Sequence, residues 1–400
     1  MKHIRLHIAF LVPVLIAIAL LSFAKPEKKD PIVVMAYYVP EKNYNPEQLP
    51  LNQLTHIIFS FTNVIDGEMK FGNSEAGEKL AQLVEERKKY PHLKVMIACG
   101  GWGADGFSDM ASTKENRAKF INSAVAFNRK YELDGLDIDW EYPAIPAAGT
   151  GARPEDKQNF TLLMKELREA LDVLEREQTL TFASAGWKRY YDNIELSEVM
   201  RYADFMNVMT YDQIGGNSPY TGHHTALGLI RDDDVKETPF WNYVKERRAE
   251  SNKGAANYGP RSVERIINFC IEKGVKPEQL VIGAAFYGRA WKGVPSTNNG
   301  LYQPNTGTHI GWSAYAQIRS EFETDVNYKR YWDPVAKAPY LYSAQDEIFI
   351  TYDDTVSVRL KTAYALKKNL GGIMFWELGN DTKDEDSLLK SIYQASSQER

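Results

Sequence analysis

Three carboxylates alternate along residues 134–141, which read Asp-Gly-Leu-Asp-Ile-Asp-Trp-Glu. Successive side chains of a β-strand point to opposite faces of a sheet, so this spacing predicts that Asp137, Asp139 and Glu141 share one face. Burying unpaired charge is costly, and a strand that keeps a row of acids therefore indicates a functional site rather than packing.

Two acids that flank a scissile bond are the usual apparatus of glycoside hydrolysis. One protonates the leaving oxygen and the other supports positive charge at the sugar carbon. Glu141 is last in the row and nearest the predicted loops, so we predict that it is the proton donor. Crowding by Asp137 and Asp139 predicts that the acids share a proton near neutral pH. A calcium or magnesium site is the alternative, but one strand offers too few oxygen ligands, and no metal is predicted.

The strand that carries these acids is one of eight apolar runs separated by helical patterns. The runs cover residues 32–38, 55–61, 94–98, 135–140, 180–185, 204–210, 281–286 and 372–375. Helical spacing of apolar residues occurs over residues 78–90, 114–131, 155–175, 262–273 and 355–368. Alternating units predict an α/β fold with a parallel sheet, and eight of them favour a TIM (β/α)8 barrel. A doubly wound open sheet is the alternative.

Two connections are longer than ordinary βα loops. Residues 213–260 contain the pair His223-His224 and a possible short helix around 241–248, while residues 292–349 are rich in Tyr, Trp, Asn and Gly. Both follow strand ends, where barrel loops build active sites, so they are predicted to wall a cleft. The second is long enough for a small subdomain. The two histidines have no acid or cysteine at ligand spacing, and we interpret them as a loop feature.

Glycine and aromatic residues follow several predicted strands. Residues 101–106 match G-x-G-x-x-G, but they do not open into a helix, so no nucleotide cofactor is predicted. We interpret this segment as a bend beside a sugar, with Trp102 as a wall. Aromatic residues at predicted strand ends suggest platforms for sugar rings: Tyr37, Phe61, Trp102, Trp187, Tyr211, Tyr287, Trp291 and Trp376.

The N-terminus has basic residues followed by an apolar run that ends in Ser22-Phe23-Ala24. This pattern predicts a cleaved signal peptide at residues 1–24 and a secreted or periplasmic protein without a membrane span. A retained membrane anchor is the alternative. Residues 25–400 would then form one catalytic barrel, with an insertion at about residues 292–349.

Charge and cysteine content restrict the partners. The net charge of −5 becomes −7 (46 minus 53) without residues 1–24, which argues against nucleic-acid binding and favours a neutral or basic substrate. Cys99 and Cys270 are too few for a disulfide scaffold, and we predict two buried free thiols rather than one disulfide. A monomer is expected.

These motifs together resemble the chitinases of glycoside hydrolase family 18. Residues 134–141 are similar to that family's Asp-x-x-Asp-x-Asp-x-Glu signature, which Tyr142-Pro143 extends. Further matches are Met-Thr-Tyr-Asp at 209–212, Phe-Tyr-Gly-Arg at 286–289 and Gly-Gly-Ile-Met-Phe-Trp-Glu at 371–377. The resemblance covers residues 31–381 and implies a TIM barrel with a small α+β insertion subdomain between strands 7 and 8.

The resemblance also implies hydrolysis of β-1,4 bonds between N-acetylglucosamine units with retention, assisted by the substrate instead of a protein nucleophile. Glu141 would protonate the glycosidic oxygen, Asp139 would hold the acetamido N–H and stabilise the oxazolinium intermediate, and Asp137 would tune Asp139. Tyr211 would donate to the acetamido carbonyl, and Asp212 would assist at the same sugar. The implied substrate-binding residues are Tyr37, Phe61, Gly101, Trp102, Tyr142, Met209, Tyr287, Arg289 and Trp376, with Trp376 as the floor.

One departure concerns residues 98–101, which read Ala-Cys-Gly-Gly where the family often has Ser-x-Gly-Gly. The missing hydroxyl leaves the hydrogen bonding of Asp137 open and should weaken activity at most. The implied substrate is chitin or chitooligosaccharides. One alternative is a non-hydrolytic chitin-binding lectin, which would typically lack Glu141. The other is an endo-β-N-acetylglucosaminidase acting on glycoprotein glycans, against which the insertion argues.

Overall fold

The computed structural model describes residues 31–40, 45–250 and 259–397. The predicted signal peptide at residues 1–24 lies outside these ranges, and its cleavage stays a prediction. Within the described ranges, no helix has both the length and the apolar character needed to cross a bilayer.

The described residues form a closed barrel and a separate antiparallel sheet. The strands are β1 (Val33–Tyr38), β2 (His56–Ile65), β3 (Glu68–Lys70), β4 (Lys94–Gly100), β5 (Gly135–Asp139), β6 (Thr179–Ala185), β7 (Phe205–Met209), β8 (Leu280–Ala285), β9 (Tyr287–Lys292), β10 (Gly307–Ala314), β11 (Lys329–Asp333), β12 (Ala338–Ser343), β13 (Ile348–Thr351) and β14 (Gly372–Trp376). The barrel runs in the order β1, β2, β4, β5, β6, β7, β8 and β14, and it closes because β14 pairs with β1. Every pair around this ring is parallel. The predicted TIM barrel is confirmed, and the open sheet is excluded.

Helices cover the outside of the barrel and fill the longer connections. They are α1 (Glu75–Arg87), α2 (Phe107–Ala111), α3 (Lys114–Tyr131), α4 (Asp156–Leu171), α5 (Lys188–Asp192), α6 (Leu196–Val199), α7 (Asp232–Val235), α8 (Phe240–Glu250), α9 (Val263–Glu272), α10 (Tyr315–Gln317), α11 (Thr355–Lys367) and α12 (Leu388–Ser397). The five predicted barrel helices are present. The first begins and ends three residues earlier than predicted, because Asn73 accepts a hydrogen bond from Ala76 N at its start and Pro91 disfavours helix at its end.

Strand β5 separates its two faces as the alternating pattern predicts. Leu136, Ile138 and Trp140 are buried against the helices, where the Trp140 ring stacks on Phe107 at 5.4 Å and meets Phe160 edge-on at 6.0 Å. The side chains of the acids lie on the opposite face, inside the barrel. The apolar face therefore anchors the strand, and the acids lie where the cleft begins.

The chain between the seventh and eighth barrel strands forms the predicted subdomain. Its five-stranded antiparallel sheet has the order β10-β9-β13-β12-β11 and begins at Tyr287, five residues before the predicted insertion start at 292. A second apolar cluster joins this sheet to the connection that follows β7, and it contains Ile214, Phe240 and Trp291. Both long connections thus pack together on one side of the barrel mouth. Cys99 and Cys270 are buried free thiols, as predicted.

Candidate active site

A cleft of about 2220 Å³ opens at the carboxyl ends of the barrel strands. Most predicted site residues line it: Tyr37, Phe61, Trp102, Asp139, Glu141, Tyr142, Met209, Tyr211, Asp212, Tyr287, Arg289 and Trp376. Asp137 and Gly101 do not. Asp137 is fully buried behind Asp139. Gly101 instead supports the site from outside, because its N–H donates to the Asp139 carbonyl at 2.9 Å and a Cβ there would meet the Phe61 ring at 3.0 Å.

The hydrogen bonding of Asp137, which Ala98 leaves open, is supplied by three other strands. Tyr37 Oη donates to Oδ2 at 3.0 Å, while Thr181 Oγ1 and Asn207 Nδ2 donate to Oδ1 at 2.5 and 3.2 Å. Ala98 lies opposite Asp137 in the neighbouring strand and contributes only a methyl group. The innermost acid is therefore satisfied without the missing hydroxyl.

Asp139 and Glu141 are the two acids at the cleft surface. Only 5% of the Asp139 surface and 8% of the Glu141 surface is exposed to solvent. Among the described residues, Asp139 Oδ1 has no hydrogen-bond partner although it is shielded from solvent. An unpartnered buried oxygen is uncommon in native structures and requires an explanation. Because Asp139 lines the cleft, this oxygen leaves the carboxylate with an unused hydrogen-bonding position next to it.

Burial raises the pKa of all three acids. The pKa of Asp137 rises to about 6, despite the lowering effect of its three donors. The pKa of Asp139 rises well above its ordinary value, through burial first and then through the charges on Glu141 and Asp137. Burial also raises the pKa of Glu141 to about 7, with a hydrogen bond from Tyr142 lowering it and the charge on Asp212 raising it. The sequence predicted that repulsion among the acids would raise their pKa values. This repulsion does raise the pKa of Asp139, but burial raises it more.

Aromatic rings form the floor below the acids. The Trp376 ring stacks on Phe61 at 5.5 Å and meets Tyr37 at 5.9 Å. Tyr211 Oη lies at the same level, 3.9 Å from Met374 Sδ. These side chains come from the ends of four different strands or the loops after them. They make a flat apolar surface with a phenol at its edge, which suits a sugar ring that carries a polar substituent.

A second aromatic group lies beside Glu141. The rings of Trp102 and Trp187 each contact Tyr142, at 6.4 and 5.3 Å, respectively. Trp102 is 68% exposed, which is unusual for a residue of this size. Because Tyr142 follows Glu141 directly in the chain, this group gives the cleft a second aromatic surface next to the acid.

The structure corrects the interpretation of Trp291 and adds a residue that the sequence analysis missed. Trp291 is fully buried in the subdomain core, where its indole N–H donates to Gly216 O at 2.9 Å, so it is not a sugar platform. Trp312 lines the cleft instead, 45% exposed and stacked on Tyr287 at 5.7 Å. Its position in a Trp- and Tyr-rich insertion was the only available signal.

The histidine pair is more than a loop feature, because each imidazole faces an acid distant in sequence. His223 Nε2 lies 3.1 Å from Asp333 Oδ2 in the subdomain. His224 Nδ1 lies 3.7 Å from Asp212 Oδ1. Arg289 also binds Asp212, with Nε and Nη2 both 2.6 Å from the same oxygen. Spacing along the chain could not reveal these contacts.

Comparison with known proteins agrees with this geometry. A sequence model of the glycosyl hydrolases of family 18 matches residues 33–381. Chitinase A1 of Niallia circulans is 39% identical over 312 residues, which are 75% of this chain and 42% of that protein. Chitinase B of Serratia marcescens is 28% identical over 401 residues, which are 87% of this chain and 77% of that protein. The chain thus spans less than half the length of the first relative and about three quarters of the second.

A solved structure extends the comparison to three dimensions. A family 18 N-acetylglucosaminidase from Paenibacillus barengoltzii superposes with a TM-score of 0.79 at 37% sequence identity. The superposition covers 91% of this chain and 99% of that chain. The similarity therefore includes the subdomain as well as the barrel.

Proposed function

Because this chain belongs to glycosyl hydrolase family 18, we propose that it is a secreted chitinase that cleaves β-1,4 bonds between N-acetylglucosamine units with retention. The observation that carries this proposal is that one cleft contains Asp139, whose buried Oδ1 has no hydrogen-bond partner, together with Glu141 and the Trp376 floor. Asp139 can accept an acetamido N–H, and Glu141 can protonate the leaving oxygen. The intact Glu141 supports hydrolysis over a lectin function.

The proposed reaction begins with an N-acetyl sugar on Trp376. Its acetamido N–H donates to Asp139 and its carbonyl accepts from Tyr211, so the carbonyl oxygen is directed at the anomeric carbon. Glu141 gives its proton to the glycosidic oxygen as that bond breaks, and the acetamido oxygen forms the new bond. Asp139 offsets the positive charge of the oxazolinium, and water then opens this ring while Glu141 recovers a proton. Two displacements at one carbon leave the anomeric configuration retained.

Secretion and domain organisation rest on the sequence. Residues 1–24 combine basic residues, an apolar run and a small residue at the proposed cleavage point after Ala24. We propose residues 25–400 as the catalytic barrel with its insertion at about 292–349, active as a monomer without a cofactor, in an extracellular or periplasmic location.

The raised pKa of Glu141 predicts the alkaline limb of the activity profile. Glu141 must be protonated to act as an acid, so kcat/KM on chitooligosaccharides is expected to fall as the pH rises through about 7. The measurement is kcat/KM between pH 4 and 9. An aryl chitobioside with a strongly acidic phenol needs less protonation, so its rate should fall less over the same range. A profile that is flat from pH 6 to 9 for both substrates contradicts this assignment.

Product analysis tests the proposed function directly. Chitin hexamer should be cleaved to shorter N-acetylglucosamine oligomers, with β-anomeric products in the first minutes by NMR. A glycopeptide that carries a chitobiose core should remain intact. Cleavage of the glycopeptide alone would support the glycoprotein endoglycosidase instead, and binding of the hexamer without any product would support the lectin.

A second candidate is the release of single N-acetylglucosamine units from the chain end. The superposition on the Paenibacillus barengoltzii N-acetylglucosaminidase, at 37% identity over 99% of that chain, favours it. The same time course separates the two activities. Monosaccharide as the first product from the hexamer supports an N-acetylglucosaminidase, whereas dimers, trimers and tetramers support a chitinase.

A further inference from the structure

His224 lies directly behind Asp212 and is completely enclosed. Its side chain has 0% exposure, whereas Asp212 is 44% exposed and faces the cleft. The imidazole packs at 5.1 Å from the Tyr287 ring, and its Nδ1 is 3.7 Å from Asp212 Oδ1. Within the described residues, neither ring nitrogen has a hydrogen-bond partner. A buried imidazole with no partner is costly, so the position requires a physical reason.

The backbone around His224 cannot easily move away from Asp212. His224 N donates to Thr351 Oγ1 at 3.2 Å, and its carbonyl accepts from Gln213 N at 3.0 Å. Thr351 lies opposite Arg289 in the subdomain sheet. The loop that carries the imidazole and the strand that carries the guanidinium are thus joined through one threonine, with Asp212 between their side chains.

Thr225, which follows His224, connects the same loop to the barrel wall. Thr225 Oγ1 donates to Asp353 Oδ2 at 2.8 Å, and Lys361 Nζ binds the same oxygen at 2.5 Å. Lys361 and Asp353 both have fully buried side chains. Ala285 N at the end of β8 also donates to Asp353, at 3.0 Å. Removing either partner of this buried ion pair would leave an unpaired buried charge, so the loop is held in place by a contact that is costly to break.

We propose that His224 is a positioning residue, which holds the Asp212 carboxylate from behind by directing an imidazole N–H at Oδ1 while Arg289 binds that oxygen from the side. This inference rests on the proposed function of Asp212 at the cleaved sugar. A movement of Asp212 by less than 1 Å converts the 3.7 Å approach into a hydrogen bond. The carboxylate then keeps one orientation during the reaction.

The groups around His224 determine its own charge. Burial lowers the pKa of the imidazole, the Arg289 charge lowers it further, and the charges on Asp212 and Asp353 raise it. The neutral imidazole therefore acts as a hydrogen-bond donor, not as a cation. Burial raises the pKa of the Asp212 carboxyl, but the neighbouring His224 imidazole and Arg289 together lower it below its ordinary value. Loss of the donor should raise the pKa of Asp212.

The test compares His224→Leu, which removes the donor, with His224→Gln, which keeps an N–H, in the full chain. On chitin hexamer, His224→Leu should lower kcat about tenfold or more, the contribution of a hydrogen bond to a charged group, with KM changed about twofold or less. His224→Gln should restore most of the rate.

His223→Gln is the matched control, since this neighbouring imidazole is equally buried but pairs with Asp333 in the subdomain. It should lower the melting temperature and leave kcat close to that of the parent. Parent kcat in His224→Leu would overturn the proposal. Equal losses of kcat in the Leu and Gln variants would also overturn it, because they would indicate packing alone.

A second readout does not depend on activity. With ¹³C-labelled aspartate carboxyls and Asp212→Asn to identify the signal, the Asp212 titration should shift upward by about one pH unit in His224→Leu and stay near the parent in His224→Gln. The same titration in all three proteins would refute the contact. If the parent cleaves no chitooligosaccharide, the proposed function fails, and the titration still decides whether His224 holds Asp212.

Discussion

Replacing Glu141 with glutamine should lower kcat on chitooligosaccharides by about two to four orders of magnitude, the usual contribution of a positioned general acid. Glutamine keeps the size and polarity of the side chain but has no transferable proton. The hexamer should still bind, because the Trp376 floor and the Trp102 surface are unchanged. Turnover by product chromatography and binding by calorimetry separate the two effects.

The matched control for this variant is Glu166→Gln on α4. Glu166 pairs with Arg117 at 2.8 Å on the outside of the barrel and does not line the cleft. It removes the same charge, and its kcat should remain close to that of the parent. A Glu141→Gln enzyme with kcat within tenfold of the parent would show that another group supplies the proton.

Replacing Asp139 with asparagine is expected to lower kcat about a hundredfold or more, comparable to the loss of a charge-stabilising group in a buried site. In the proposed mechanism, the amide would not offset the positive charge of the oxazolinium. It also presents either a donor or a weaker acceptor to the acetamido N–H. Because burial and the neighbouring carboxylates already raise the pKa of Asp139, the loss should be greatest at a pH where the parent carboxylate is ionised.

Two substrates that differ only in the acetyl group at the cleaved unit test the role of Asp139. The parent should cleave an oligomer with an acetylated unit at the cleaved position much faster than one with a free amine there, and Asp139→Asn should reduce only the faster rate. Asp172→Asn, an exposed carboxylate paired with Arg168 on α4, is the charge-matched control. Equal parent rates on the two oligomers would exclude assistance by the acetamido group.

Local pattern alone determined the main features of this protein. Eight apolar runs alternating with helical segments predicted the closed barrel, because strand and helix periods are properties of neighbouring residues. Asp137, Asp139 and Glu141 were predicted to share one face for the same reason; β5 carries the first two, and Glu141 lies two residues beyond the end of the strand and lines the same cleft as Asp139. Helix ends were less certain: α1 is displaced by three residues, since Asn73 accepts a hydrogen bond at its start and periodicity does not record such contacts.

Only the tertiary structure decided which side chains complete the site. The donors to Asp137 lie 44, 70 and 100 residues away in the chain, on three other strands, and they replace the hydroxyl that Ala98 lacks. Trp291 and Trp312 look alike in the sequence, but closure of the subdomain sheet buries the first and exposes the second to the cleft. The contact between His224 and Asp212 also arises from packing. Burial, and with it the raised pKa values of the acids, depends on contacts between distant segments, and these are fixed only when the barrel closes.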